Sequence, residues 1–148
     1  MLRKLFGRET SAEPDEAPPS LSAEPRTAVH QSLAFLVGRP KWFAIWVVDA
    51  DRNYYMQAGW SQSGETTGGI VRAEAVSDQY LKPIDALGTS REEHLSTNGW
   101  LVEAPGDNWV KSYAMDSGTD HVADELLSIM ADVYGWHDGD PLSITVSH

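Results

Sequence analysis

Trp42-Phe-Ala-Ile-Trp-Val-Val48, the turn Asp49-Ala-Asp-Arg-Asn53 and the return Tyr54-Tyr-Met-Gln-Ala-Gly-Trp60 decide how this chain is read. The first run is seven residues long, wholly apolar, rich in β-branched and aromatic side chains, and bounded by Pro40 and Asp49; that is a strand. Five turn-forming residues follow, and the second run makes the antiparallel partner. Ser61–Gly69 is a Gly/Thr/Ser loop, and Ile70–Ser77 alternates as a third strand. Three consecutive strands of this kind form an antiparallel meander with one face to bury.

Working outward, Thr27 can cap a helix with Val29, Leu33, Leu36 and Val37 on one stripe, stopped by Gly38. Pro83 keeps Asp78–Leu87 irregular. Ser90-Arg-Glu-Glu93 has the form of a capping box opening a helix that ends at Gly99, beyond which Trp100 can fold back onto it. Asn108–Met115 alternates as a fourth strand. Thr119 caps the strongest helix, with Val122, Leu126, Ile129 and Val133 on one stripe and Gly135 as its stop. Leu142–Val146 can add an edge strand. The predicted order is α-β-β-β-α-β-α(-β), an α+β two-layer sandwich with a mainly antiparallel sheet and helices on one face. Residues 26–148 form one domain. Residues 1–25, with Pro14, Pro18, Pro19 and Pro25 among acids and serines, read as a disordered tail.

Composition removes several kinds of chemistry. The chain has no cysteine, so disulfides, thiolate metal sites and thiol nucleophiles are excluded, and a cytoplasmic location is favoured. Its 22 acidic against 11 basic side chains leave a formal net charge of −11, which makes nucleic acid a poor partner. No run is apolar enough to span a membrane. The start Met1-Leu-Arg-Lys-Leu-Phe-Gly-Arg8 sets Leu2, Leu5 and Phe6 among Arg3, Lys4 and Arg8. It could touch a membrane surface but is too short to anchor there stably, and a frayed terminus is the plainer reading.

Motifs for catalysis are equally sparse. Asp49-Ala-Asp51-Arg-Asn53 opens like a calcium loop, yet Tyr54 stands where glycine is needed and Trp60 where glutamate is needed. Gly64-Glu-Thr-Thr-Gly-Gly69 lacks the lysine and the helix of a phosphate cradle. His30, His94, His121, His137 and His148 share no metal-ligand spacing, and His121–Glu125 reads as a surface pair. No Gly-x-Ser-x-Gly elbow occurs. Neither an enzyme nor a cofactor site is expected.

Six tryptophans and five tyrosines remain to be placed. Strand parity sets Phe43, Ile45 and Val47 against Trp42, Ala44 and Trp46, and Tyr55 and Gln57 against Tyr54, Met56 and Trp60. It sets Arg72 and Glu74 against Val71, Ala73 and Ala75, and Trp109, Lys111 and Tyr113 against Val110 and Ala114. If the polar side of each strand faces away from the helices, Trp46, Tyr55, Gln57, Arg72, Glu74, Lys111 and Tyr113 line one uncovered face. Trp42 and Trp109 then sit at its margins. Aromatics beside a few charges make a partner-binding surface. Cover of that face by a loop, the tail or a second subunit is the competing reading.

Five strings also carry a family resemblance. They are Tyr55-Met-Gln57, Ala73-Glu-Ala-Val-Ser-Asp-Gln-Tyr-Leu81, Leu95-Ser-Thr-Asn-Gly99-Trp100, Pro105-Gly-Asp-Asn108-Trp109, and Val122-Ala123 through Val133-Tyr-Gly135. Together, over about residues 27–145, the chain resembles the TY-Chap family, domains similar to type III secretion chaperones and YbjN-like proteins. Gln57, Glu74, Trp100 and Trp109 match its motif; the stretch between the two tryptophans is shorter than the family pattern. The resemblance implies a type III secretion chaperone-like fold that binds a peptide or protein partner without catalysis, with a homodimer left open. Two other readings stay open: an acidic immunity-like or regulatory protein that neutralises a basic partner, and a small-metabolite binder.

Overall fold

The computed structural model describes residues 16–62, 67–116 and 118–148. Among these, three α-helices (α1 Pro25–Leu36, α2 Gly88–Thr97, α3 Asp120–Asp132) and two single-turn 3-10 helices (Asp78–Tyr80, Pro83–Asp85) accompany six strands. The strands are β1 Phe43–Asp49, β2 Tyr54–Ser61, β3 Ile70–Ala75, β4 Leu101–Val102, β5 Trp109–Ala114 and β6 Ser143–Ser147. They form one sheet in the order β4-β5-β3-β2-β1-β6, antiparallel at every pairing. The α+β, two-layer expectation holds, with a two-residue β4 added and the final strand present at the β1 edge.

Each boundary has a local cause. The turn between β1 and β2 closes on Asp49, whose carboxylate accepts from the Arg52 N–H at 3.2 Å, and Asn53 takes the left-handed φ of 61° that the tight reversal needs. Helix α1 begins earlier than its sequence suggests. The cap is Glu24, which accepts from the N–H groups of Arg26 (3.0 Å) and Thr27 (2.8 Å), with Pro25 in the first helical turn. Helix α2 also starts ahead of Ser90, at Gly88, and no side-chain capping bond forms there, so the Ser90–Glu93 box is not used. At its far end Gly99 adopts φ +89°, the Trp100 N–H donates to Leu95 O at 3.0 Å, and the Trp100 side chain folds back to 2 % exposure.

The segment expected to be a tail divides in two. Residues 1–15 lie outside the described residues. Residues 16–24 touch the domain: Glu16 pairs with Arg39 at 2.7 Å, and Leu21 packs on the core.

The core lies between the sheet and the helices. Val29, Leu33 and Leu36 of α1 and Val122, Leu126, Leu127, Ile129 and Met130 of α3 meet Trp46, Met56, Val71, Ala73 and Ala75 of the sheet, all of them buried. Burying each large side chain contributes about 1.5–3 kcal/mol, so these contacts dominate stability. Ala44, Ala58, Ala73 and Ala75 add small buried side chains to the same face of the strands. The Trp46 Nε1–H donates to Ser32 Oγ of α1 at 2.9 Å, and Ser32 Oγ donates in turn to Val29 O at 2.9 Å. One polar pair thus fixes where α1 sits on the sheet.

Candidate functional site

Cross-strand register sorts the sequence-derived surface residues onto two different faces. Trp46 lies opposite Met56 and Ile144, and Ala44 opposite Ala58 and Val146, so the Trp42/Ala44/Trp46 side of β1 faces the helices. Trp42 and Trp46 are accordingly buried, at 2 % and 0 % exposure. On β5, Trp109, Lys111 and Tyr113 lie opposite Ala75, Ala73 and Val71, again on the helix side. The grouping of these five with an uncovered face is therefore corrected. Tyr55, Gln57, Arg72 and Glu74 do share the face that no helix covers.

Two physical causes explain the exchange. Both sides of β1 are apolar, so polarity gives no signal there and the register with β2 decides. On β5 a lysine faces the helices because α3 supplies its counter-charge. Lys111 Nζ donates to Glu125 Oε2 and to Asn98 O, each at 2.7 Å, and the Tyr113 hydroxyl donates to the same Glu125 oxygen. Burial, then the bonded carboxylate, push the Tyr113 phenol well above its ordinary pKa, so it stays a donor. Glu125 thus serves this pair and not His121, its expected partner.

The helix-free face carries Phe43, Ile45 and Val47 of β1, Tyr55, Gln57, Gly59 and Ser61 of β2, and Ile70, Arg72 and Glu74 of β3. At its centre Gly59 lies between Phe43 and Arg72, which are its direct partners on the two neighbouring strands. A glycine there leaves a gap one side chain wide, and Phe43, 39 % exposed, forms one wall. The result is a groove of about 510 Å³ lined by Phe43, Gln57, Gly59, Ser61, Arg72 and Glu74, with Ala58 and Trp60.

A polar network borders the groove. Gln57 Nε2 donates to Glu74 Oε1 at 3.2 Å, joining the two residues that face each other across β2 and β3. Asn108, just before β5, donates to the Tyr55 hydroxyl at 3.3 Å and to Glu74 Oε1 at 3.5 Å, while its own carbonyl accepts from the Ser77 N–H at 3.1 Å. The Arg72 guanidinium pairs with Glu103 at 2.8 Å, a bond that holds its pKa above the ordinary value and holds the Glu103 carboxyl below its own. Sequence reasoning placed Tyr55, Gln57, Arg72 and Glu74 here and missed Phe43, Gly59 and Asn108. The glycine inside the second strand was the available signal, since an interior strand glycine marks a close approach or a gap.

The arrangement can hold an extended segment by one apolar side chain and a few hydrogen bonds. Among the described residues no cluster of His, Asp and Glu could hold a metal ion, and no helix is long and apolar enough to cross a membrane.

The family model described as "TY-Chap3: T3SS (YopN, CesT) and YbjN peptide-binding chaperone 3" matches residues 27–147. No curated protein and no solved structure matches the chain.

Proposed function

The chain belongs to the TY-Chap3 family of peptide-binding chaperones, and from that premise we propose that it binds extended peptides on the helix-free face of its sheet. The observation that carries this reading is the groove over Gly59, walled by Phe43 and Arg72. An apolar side chain of the peptide enters the gap and covers Phe43. Its backbone lies along the polar border, where Gln57, Glu74 and the Tyr55–Asn108 pair offer donors and acceptors already held in place. Preformed hydrogen-bonding groups lower the ordering cost of binding, which is how a shallow site reaches useful affinity. The protein acts by holding its partner, with no covalent step. The partner set drawn from the sequence reduces to Tyr55, Gln57, Arg72 and Glu74, joined by Phe43 and Gly59.

The test is selection of peptides from a displayed random library on the intact protein, repeated with Phe43→Asp. Selected peptides are expected to share an apolar anchor and to lose binding to the variant at least tenfold, since a carboxylate in an apolar wall must be desolvated. Phe43 is exposed enough for the variant to fold. Peptides that bind Phe43→Asp and the parent equally well would remove the groove from the mechanism.

A further inference from the structure

The groove wall carries a carboxylate that has no ion-pair partner among the described residues. Glu74 is half-buried there, and the bonds to it, from Gln57 Nε2 at 3.2 Å and Asn108 Nδ2 at 3.5 Å, both end on Oε1. The donors are neutral amides, and among the described residues none donates to Oε2. Arg72 is the one cation among the lining residues, and it is committed elsewhere. Its Nη2 and Nη1 donate to the two Glu103 oxygens at 2.8 and 3.4 Å, which ties the guanidinium to the residue that follows β4. A carboxylate held by neutral donors alone keeps its charge for a ligand, and a charge-assisted bond is roughly twice as strong as a neutral one. The net charge of −11 acts in the same sense, drawing cations in and repelling anions.

Strand register sets the distance between this carboxylate and the apolar gap. Gly59, the floor of the gap, lies opposite Phe43 and Arg72; two residues back along β2, Gln57 lies opposite Ile45 and Glu74. The two rows are roughly 6.6 Å apart, at ~3.3 Å per residue. An extended peptide has the same repeat, so the side chain two positions from one seated over Gly59 reaches the next row. In the other direction the next row is Ser61 and Ile70, which carries no charge. We propose that the chaperoned segment carries a lysine or arginine two residues from its apolar anchor, and that Glu74 selects it. The inference rests on the groove being the peptide site. Glu103 is a positioning residue: by holding Arg72 it keeps that cation from neutralising Glu74 and from repelling the incoming one. An acidic side chain at the same peptide position meets Glu74 with like charge and is rejected.

Three fluorescent synthetic heptapeptides test this on the full chain. Each has a central leucine among threonines, and they differ only two residues after it, in lysine, norleucine or glutamate. At low salt the lysine peptide is expected to bind about fivefold more tightly than the norleucine peptide, with the glutamate peptide weakest. Glu74→Gln keeps an acceptor for Gln57 and Asn108 while removing the charge, and is expected to bring the lysine and norleucine peptides within about twofold of each other. Gly59→Val, which fills the gap without changing charge, is expected to weaken all three. Equal binding of the three that is still lost in Gly59→Val would end the charge selection and leave the groove as the peptide site. A lysine preference that survives in Glu74→Gln would overturn the proposal by placing the charge recognition elsewhere. Binding indifferent to Gly59→Val, or no binding by any of the three, would remove both readings.

Discussion

Replacing Gly59 by valine fills the groove from its floor and leaves the rest of the face unchanged. A Cβ at this position meets only the Trp42 carbonyl oxygen, at 3.7 Å, an ordinary contact, and Gly59 does not have the left-handed backbone that would exclude a side chain. Valine suits a strand better than glycine does, so folding is expected to gain about 0.5–1 kcal/mol. Binding moves the other way. A peptide side chain excluded from the gap loses the burial of one medium-sized apolar group, about 1.5–3 kcal/mol. That is roughly a 10- to 150-fold rise in Kd, at about 1.4 kcal/mol per factor of ten. Urea unfolding and fluorescence anisotropy with a selected peptide read the two effects on the same preparation. A variant at least as stable as the parent that binds the peptide within about twofold would refute the reasoning, because the gap would be filled without consequence.

Other substitutions test the rest of the structure. Trp46→Ala is expected to cost about 3–5 kcal/mol through the cavity it leaves under α1, a large drop in the urea midpoint; a change near zero would deny that Trp46 is core. Glu125→Ala removes the carboxylate from Lys111 and Tyr113 and is expected to cost about 1.5–3 kcal/mol by the same assay; an unchanged midpoint would show that the lysine needs no counter-charge there. The hydrogen bond from Thr27, followed by its backbone N–H and that of Arg26, holds the Glu24 pKa below the ordinary glutamate value. A depressed folded-state pKa stabilises above the unfolded value and loses that contribution as pH falls through the folded one. The parent is therefore expected to lose thermal stability more steeply below about pH 4.5 than Glu24→Gln does, and parallel melting-temperature profiles would contradict the capping role.

Alternation along each strand was enough to divide its residues into two faces, and pairing upholds every such division. What alternation lacks is a way to match a face of one strand to a face of the next. For β2 and β3 the match is visible, because Tyr55/Gln57 and Arg72/Glu74 are polar against plainly apolar opposites. For β1 it is hidden, since Phe43/Ile45/Val47 and Ala44/Trp46 are equally apolar. For β5 it misleads: Lys111 implies solvent until Glu125 is known to reach it from α3, a contact between distant parts of the chain. The helix starts fail for a related reason. Ser90 and Thr27 are good caps in isolation, but Glu24 caps α1 with Pro25 already set at the helical φ, and Gly88 turns the chain into α2 before Ser90 is reached.

The strand β6 pairs with β1 from Phe43↔Ser147 to Val47↔Ser143, although nearly the whole domain separates them in sequence. During synthesis, then, β1, β2 and β3 can zip together locally while the far side of β1 still has no neighbour. That open side belongs to Phe43-Ala-Ile-Trp-Val-Val48, six uncharged residues of high β propensity, the composition most prone to pair with another unfinished chain. Ser143, Thr145 and Ser147 give the completed sheet a polar rim in its place. Strand β6 therefore works as a guard for β1, which stays a vulnerable segment until β6 has been made.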